Sequence, residues 1–176
     1  VTSGTVGATI GGGGEATLLN SVTDNYATVS GGKGNQAGDG DVSSPTGQGA
    51  TVGGGGLNTA SGSVATVGGG EGNTASGLYA TIPGGRNNEA SGIYSFAAGW
   101  QARAQHSGTF VWADNQGGTG ADFISTGQDQ FLIRAAGGVG IGTASPGEQL
   151  DVAGTVQMTG IKLTTGASNG YVLTSD

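Results

Sequence analysis

The chain has a single histidine, His106, the side-chain type most used as a general base, and it stands beside Ser107 with no second histidine and no cysteine in the chain. Nucleophilic catalysis needs a hydroxyl or thiol, a base, and a third group to orient the base. Nothing near His106 supplies the third group, so a solvent-facing or subunit-axis histidine is expected. The twelve carboxylates are mostly isolated, as at Glu71 and Glu89. Glycosidase chemistry needs two facing carboxylates about 5 to 10 Å apart, and no pair is singled out. The chain is expected not to be an enzyme. Asp39 and Asp41, in "GDGD", are two oxygen ligands of the type calcium takes; a calcium site and a plain solvated loop both remain open there, and no other cofactor is expected. The glycine runs are not phosphate loops, because "SGGKGN" around Lys33 lacks the G-x-x-x-x-G-K-[ST] spacing and no window reads G-x-G-x-x-G. "GGEGNTASG" approaches the calcium-binding G-G-x-G-x-D repeat but has asparagine where aspartate is wanted.

The elements that would position these residues follow from an internal repeat. Triplets "ATV" or "ATI" begin at Ala8, Ala27, Ala50, Ala65 and Ala80, and a degenerate "SFA" begins at Ser95. The last four starts are 15 residues apart, while the earlier spacings of 19 and 23 carry insertions of four and eight. The eighth residue after each start is Ala16, Asn35, Asn58, Asn73 and Asn88, and the tenth is Leu18, Ala37, Ala60, Ala75 and Ala90. Register is therefore expected to hold for ten residues, with both insertions in the loop that follows. Fifteen residues cannot hold two helices and a turn, and two to four glycines per unit would destabilise any helix. Short strands between glycine corners fit. In "YATVG" the alanine and valine share one face and the tyrosine and threonine the other, and "NTASG" reads as a second strand. Each unit is then one coil of a β-solenoid, stacking Asn58, Asn73 and Asn88 in one column and Thr51, Thr66 and Thr81 in another, where like polar groups can hydrogen-bond along the stack.

Composition narrows the remaining classes. Glycine supplies 41 residues and proline only 3, without the period of three that collagen needs. Hydrophobic residues, 34% of the chain, recur in register, which argues against disorder. Net charge is −7 and the five cations, Lys33, Arg86, Arg103, Arg134 and Lys162, are dispersed; nucleic acid and anionic membrane surfaces are therefore poor partners. No apolar run approaches the roughly 20 residues of a membrane helix, and with no cysteine there is no disulfide framework. Starting at Val1 and stopping at Asp176, the sequence is expected to be a mature or excised piece whose native chain continued. A coil offering one Val or Ile, two Ala and sometimes a Tyr buries little apolar area for the backbone it must order. Association is the expected remedy, with Tyr26, Tyr79 and Tyr94, replaced by Val64 in one coil, packing against neighbouring chains.

"YSFAAGWQARAQHSG" (residues 94–108) resembles the head repeat of the YadA-like trimeric autotransporter adhesins, and "GGVGIGTASPGEQLDVAGTVQMTG" and "NGYVLTSD" are similar to segments preceding the self-cleaving chaperone domain of endosialidase-type phage tail fibres and bacterial surface fibres. The resemblance implies an all-β fold, a trimeric left-handed parallel β-roll, displayed outside the cell or on a virion tail. The 15-residue unit, the "GGG" corners and the lack of a heptad stalk or membrane anchor depart from the commonest adhesin head. On this reading residues 1–108 are solenoid head repeats. Residues 109–176 form an interleaved β connector, with strands at "TFVWAD" and "DQFLIR" and with Leu150, Val152, Val156 and Met158 on one face.

The expected function is a non-catalytic structural and adhesive fibre, a homotrimeric extracellular rod presenting loops to a host or cell-surface receptor, a glycan among the candidates. Loops projecting from a regular scaffold often carry recognition, so the contact candidates lie in the two insertions: Thr17, Asn20 and Asp24 in residues 15–25, and Ser43, Thr46 and Gln48 in residues 38–49. Trp100 and Trp112 suit a subunit interface or a sugar face. An ice-binding solenoid, suggested by the threonine column, and a fibre-borne polysaccharide depolymerase are the alternatives.

Overall fold

A 15-residue alternation of small and apolar residues can build only short strands joined at tight corners, and the computed structural model contains those alone. It describes residues 1–41, 43, 46–115 and 121–159, among which there is no helix. Each coil gives one strand to each of two parallel sheets. The first coil holds β1 (Thr9–Ile10) and β2 (Ser21–Val22); the next, β3 (Thr28–Val29) and β4 (Gln36–Ala37). Then come β5 (Thr51–Val52) with β6 (Thr59–Ala60), and β7 (Thr66–Val67) with β8 (Thr74–Ala75). A coil with an extra corner strand follows: β9 (Thr81–Ile82), β10 (Gly85–Arg86) and β11 (Glu89–Ala90). The later coils hold β12 (Phe96–Trp100), β13 (Ala102–Ala104), β14 (Phe110–Ala113), β15 (Phe123–Ile124) and β16 (Phe131–Arg134). One sheet runs β1-β3-β5-β7-β9-β12-β14-β16, with β10 beside β12, and the other β2-β4-β6-β8-β11-β13-β15. The fold is a parallel β-solenoid.

The pleat sorts each triplet as its chemistry requires. Ala27 and Val29, Ala50 and Val52, Ala65 and Val67, and Ala80 and Ile82 point inward and are fully buried, facing Val22, Ala37, Ala60, Ala75 and Ala90 of the second sheet. Thr28, Thr51, Thr66 and Thr81 stand in register on the outer face, half-buried. An interior lined so heavily with alanine is narrow, and a buried amide crosses it in each coil. Asn35, Asn58, Asn73 and Asn88 are almost wholly enclosed. Asn73 shows the pattern: its Nδ2 donates to Gly69 O (3.0 Å) and Gly85 O (2.9 Å), while its Oδ1 accepts Asn88 N (3.0 Å). The glycine-corner carbonyls that turn inward thus find donors, as buried backbone groups must. The corners need glycine because the coils touch there: a Cβ at Gly55 would lie 2.1 Å from Gly70 O, in a backbone already at φ 82°.

The two insertions do not share one place, contrary to the forward count from Ala8. Asn20, not Ala16, heads the asparagine column, its Oδ1 accepting Asn35 N (3.1 Å) and its Nδ2 donating to Gly32 O (2.8 Å). The four extra residues therefore lie in the glycine corner before Asn20, where Glu15 and Leu18 exchange backbone hydrogen bonds of 3.1 and 2.9 Å. The eight extra residues lie in the other corner, after β4. Glycine runs look alike when slid by a few positions, so counting from Ala8 put the first insertion on the wrong side of the second strand.

Past Gly108 the same sheet continues: β12 pairs with β14 and β14 with β16, in parallel register. The compact unit that contains them extends to Ala136, and a second unit comprises residues 137–176. In that second unit β17 (Val139–Ile141) and β18 (Leu150–Val152) form a two-stranded parallel pair. Leu150, Val156 and Met158 are exposed, and "NGYVLTSD" lies outside the described residues.

Candidate functional site

The long insertion is pinned from beneath by a carboxylate. Asp24, wholly buried, follows β2; its Oδ2 accepts the backbone N–H groups of Asp39 and Gly40 (2.5 and 3.1 Å) and the Thr23 hydroxyl (3.2 Å). Gly38 and Gly47, at the two ends of the loop, sit so close that a Cβ on either would come within 2.2 or 2.7 Å of that oxygen. Further out the loop folds on its own side chains: Asp39 Oδ1 accepts Asp41 N (2.9 Å), and Asp41 Oδ1 accepts Ser43 N (3.0 Å) and the Ser43 hydroxyl (2.5 Å). These are turns of the type that short acidic side chains make with their own backbone.

Between this loop and the corners of the next coils lies a cleft of about 550 Å³ lined by Asp39, Thr46, Ser61, Gly62, Ser63, Ser76 and Leu78. Its size is that of small-ligand sites. Its described lining is hydroxyl groups around one carboxylate and one aliphatic side chain, a set that hydrogen-bonds to polar ligands. The structure thus separates the contact candidates. Thr17, Ser43 and Thr46 are exposed and Gln48 is half-buried. Asp24 is enclosed, and Asn20 is half-buried with its amide held in the asparagine column. Asp39 and Asp41 are neighbours in one loop, and among the described residues no group of three or more His, Cys, Asp or Glu is gathered as a metal ion would require.

His106 has a partner that the sequence did not point to. Its Nδ1 lies 2.8 Å from Ser125 Oγ, and that oxygen also accepts the backbone N–H groups of Gln105 (3.0 Å) and His106 (3.2 Å). With its acceptor sites taken, the hydroxyl donates to Nδ1. Ser125 is 1% exposed, so this is a buried corner clamp whose hydroxyl does not reach solvent. No local signal marks Ser125, because its pairing with His106 spans 19 residues.

Every lysine and arginine among the described residues is ion-paired. Lys33 meets Glu15 and Arg86 meets Glu71, both at 3.2 Å on the surface; Arg134 meets Asp114 at 3.3 Å. Arg103 bridges Glu89 (2.7 Å) and Asp122 (3.1 Å). Burial works against its charge, but the hydrogen bond and attraction from Asp122, and then Glu89, outweigh that and raise its pKa above the ordinary arginine value. The surface therefore carries no unpaired positive patch among these residues.

A column of exposed apolar groups lies at the corner leading into the first sheet. Tyr26, Val64, Tyr79 and Tyr94 recur there, with Leu78 and Ile93 beside them, all exposed. Tyr79 and Tyr94 stack with ring centroids 5.2 Å apart. All four column residues hold left-handed backbone, φ 56° to 60°, in positions that Gly49 and Gly108 fill in other coils.

No protein-family model and no curated protein matches this chain. No described helix is long and apolar enough to cross a membrane.

Proposed function

We propose that this chain is a segment of a non-catalytic adhesive fibre, an extracellular homotrimeric rod whose coils hold loops out for contact with a receptor. The observation that carries the reading is the corner column Tyr26, Val64, Tyr79 and Tyr94. A left-handed φ costs an L-residue about 1 to 2 kcal/mol that glycine escapes, and for a β-branched residue such as Val64 it is an outlier. An exposed side chain returns little of that cost to an isolated coil. Large apolar groups held there at a conformational cost, beside Leu78 and Ile93, make sense as a surface that another copy covers. The narrow interior adds to this, since alanine-lined coils bury little apolar area of their own. Three copies would present the insertion cleft three times and bind a multivalent surface by avidity.

Sedimentation equilibrium over a wide dilution range tests the assembly: the expected mass is three times the 16.8 kDa chain, and a folded monomer overturns the reading. Tyr79→Ser combined with Tyr94→Ser is expected to release the subunits. For the contact role, shortening residues 38–49 to the length of the other corners should abolish binding to receptor-bearing cells while the rod persists. The outer threonine column supplies one residue per coil, flanked by Gly53, Gly68 and Pro83, and an ice-binding reading would need thermal hysteresis from the purified chain.

A further inference from the structure

We propose that a recess beside Trp100, at the corner of the coil away from the tyrosine column, binds a neutral saccharide. The recess measures about 510 Å³ and is lined by Gly85, Arg86, Gly99, Trp100 and Asn115, within the range of small-ligand sites. Its position follows from register. Backbone bridges run Lys33–Gly56–Glu71–Arg86 along the glycine corner, and β10 pairs with β12 so that Trp100 takes the next place, opposite Arg86. That column otherwise holds glycine and charged residues; only here does an aromatic enter. Interior packing does not call for it, because Trp100 stands outside the buried alanine and valine cluster. Its indole Nε1–H is enclosed without an acceptor, an unfavourable state for a donor that usually finds a partner when buried.

An indole face and a guanidinium fork are groups that hold the apolar face and hydroxyls of a sugar ring. Gly85 and Gly99 contribute backbone without side chains to the wall. Neutrality follows from charge. Arg86 is already matched by Glu71 at 3.2 Å and the chain carries −7, so an anionic sugar would have to displace Glu71 against the overall field. This site is independent of the trimer reading and of the insertion cleft, since its residues belong to neither.

The test uses the full chain carrying Trp112→Phe, which leaves Trp100 as the sole tryptophan. Maltotetraose, cellotetraose and chitotetraose are titrated while indole emission is followed, with a tetragalacturonate as the anionic comparison. A saturable emission change with at least one neutral oligosaccharide is expected, with affinity falling at least about tenfold in Arg86→Ala. Calorimetry on Trp100→Ala, checked for an unchanged circular dichroism spectrum, should show loss of binding; if that variant misfolds, the exposed Arg86→Ala variant still decides. Ser30→Ala, at an exposed position that lines neither recess, should bind as the parent does. Three results would each overturn the proposal: no neutral oligosaccharide binds, only the galacturonate binds, or Ser30→Ala abolishes binding while Arg86→Ala leaves it intact.

Discussion

The coils up to residue 92 and those from Phe96 to Arg134 share two parallel sheets and an alanine-rich interior, yet different chemistry locks them. In the earlier coils a buried asparagine column ties each glycine corner to the next. The column ends at Asn88, whose Oδ1 accepts Ala102 N (2.9 Å) where a further asparagine would stand. There the corner loses a residue, Gly85 pairing with Gly99 and Glu89 with Arg103. Beyond it, Phe96, Phe110 and Phe131 take over the outer column that threonine held, stacked at 4.6 Å, and the Glu89–Arg103–Asp122 bridge braces the second sheet. When a coil is too thin to hold large side chains inside, its register is fixed either by amides within or by aromatic and charged groups without.

The comparison breaks first at the amides. Asn73→Ala would leave the Gly69 and Gly85 carbonyls and the Asn88 N–H without their side-chain partners in a buried interior. At about 1 to 3 kcal/mol for each buried group stranded, a loss of about 3 to 5 kcal/mol is expected, read from the denaturant midpoint at unchanged slope. A loss below about 1 kcal/mol would mean that water or backbone adjustment replaces the amide, and the contrast between the two regions would fall. In the later coils, Phe110→Ala removes the middle ring of the stack. About 2 to 3 kcal/mol is expected from lost burial and stacking, less than for the amide because Phe110 is only half-buried and its removal strands no polar group.

Much of this was readable in the chain, and the misses share a cause. The 15-residue spacing of "ATV" and the recurrence of asparagine specify strand register, inward alanine and the amide column, because stacking identical coils forces identical residues together. The first insertion was misplaced since a glycine run carries no internal landmark. Asp24 resembles any loop carboxylate until the fold brings the backbone of Asp39 and Gly40 onto it. The pairing of His106 with Ser125 joins residues 19 apart, a spacing that the repeat does not encode. The change of composition after Gly108 is real, but it marks a change in what holds the coils rather than the end of the sheets.

Arg103 sharpens the electrostatic half of the comparison. Its side chain is 27% exposed and bridges two carboxylates, so Arg103→Ala should cost about 1 kcal/mol after allowance for screening. Because the folded-state pKa is raised, the stabilisation is complete below the unfolded arginine value and is lost only as pH rises through the folded one. The difference between the parent and Arg103→Ala should therefore not change through arginine titration from about pH 6 to about pH 10, while shrinking with added salt.

The smallest effect is expected at the exposed counterpart in the earlier coils. Arg86 meets Glu71 at 3.2 Å with both side chains more than half exposed, and such pairs contribute about 0 to 1 kcal/mol. Arg86→Ala should shift stability by less than about 0.5 kcal/mol, because the asparagine column beneath already fixes the register that the pair merely decorates. If its cost instead matched that of Arg103→Ala, the surface charges would be sharing the work assigned to the buried amides. A double variant with Asn73→Ala then separates the cases: additive losses mean the two act independently, and a coupled loss means the glycine corner is held from both sides.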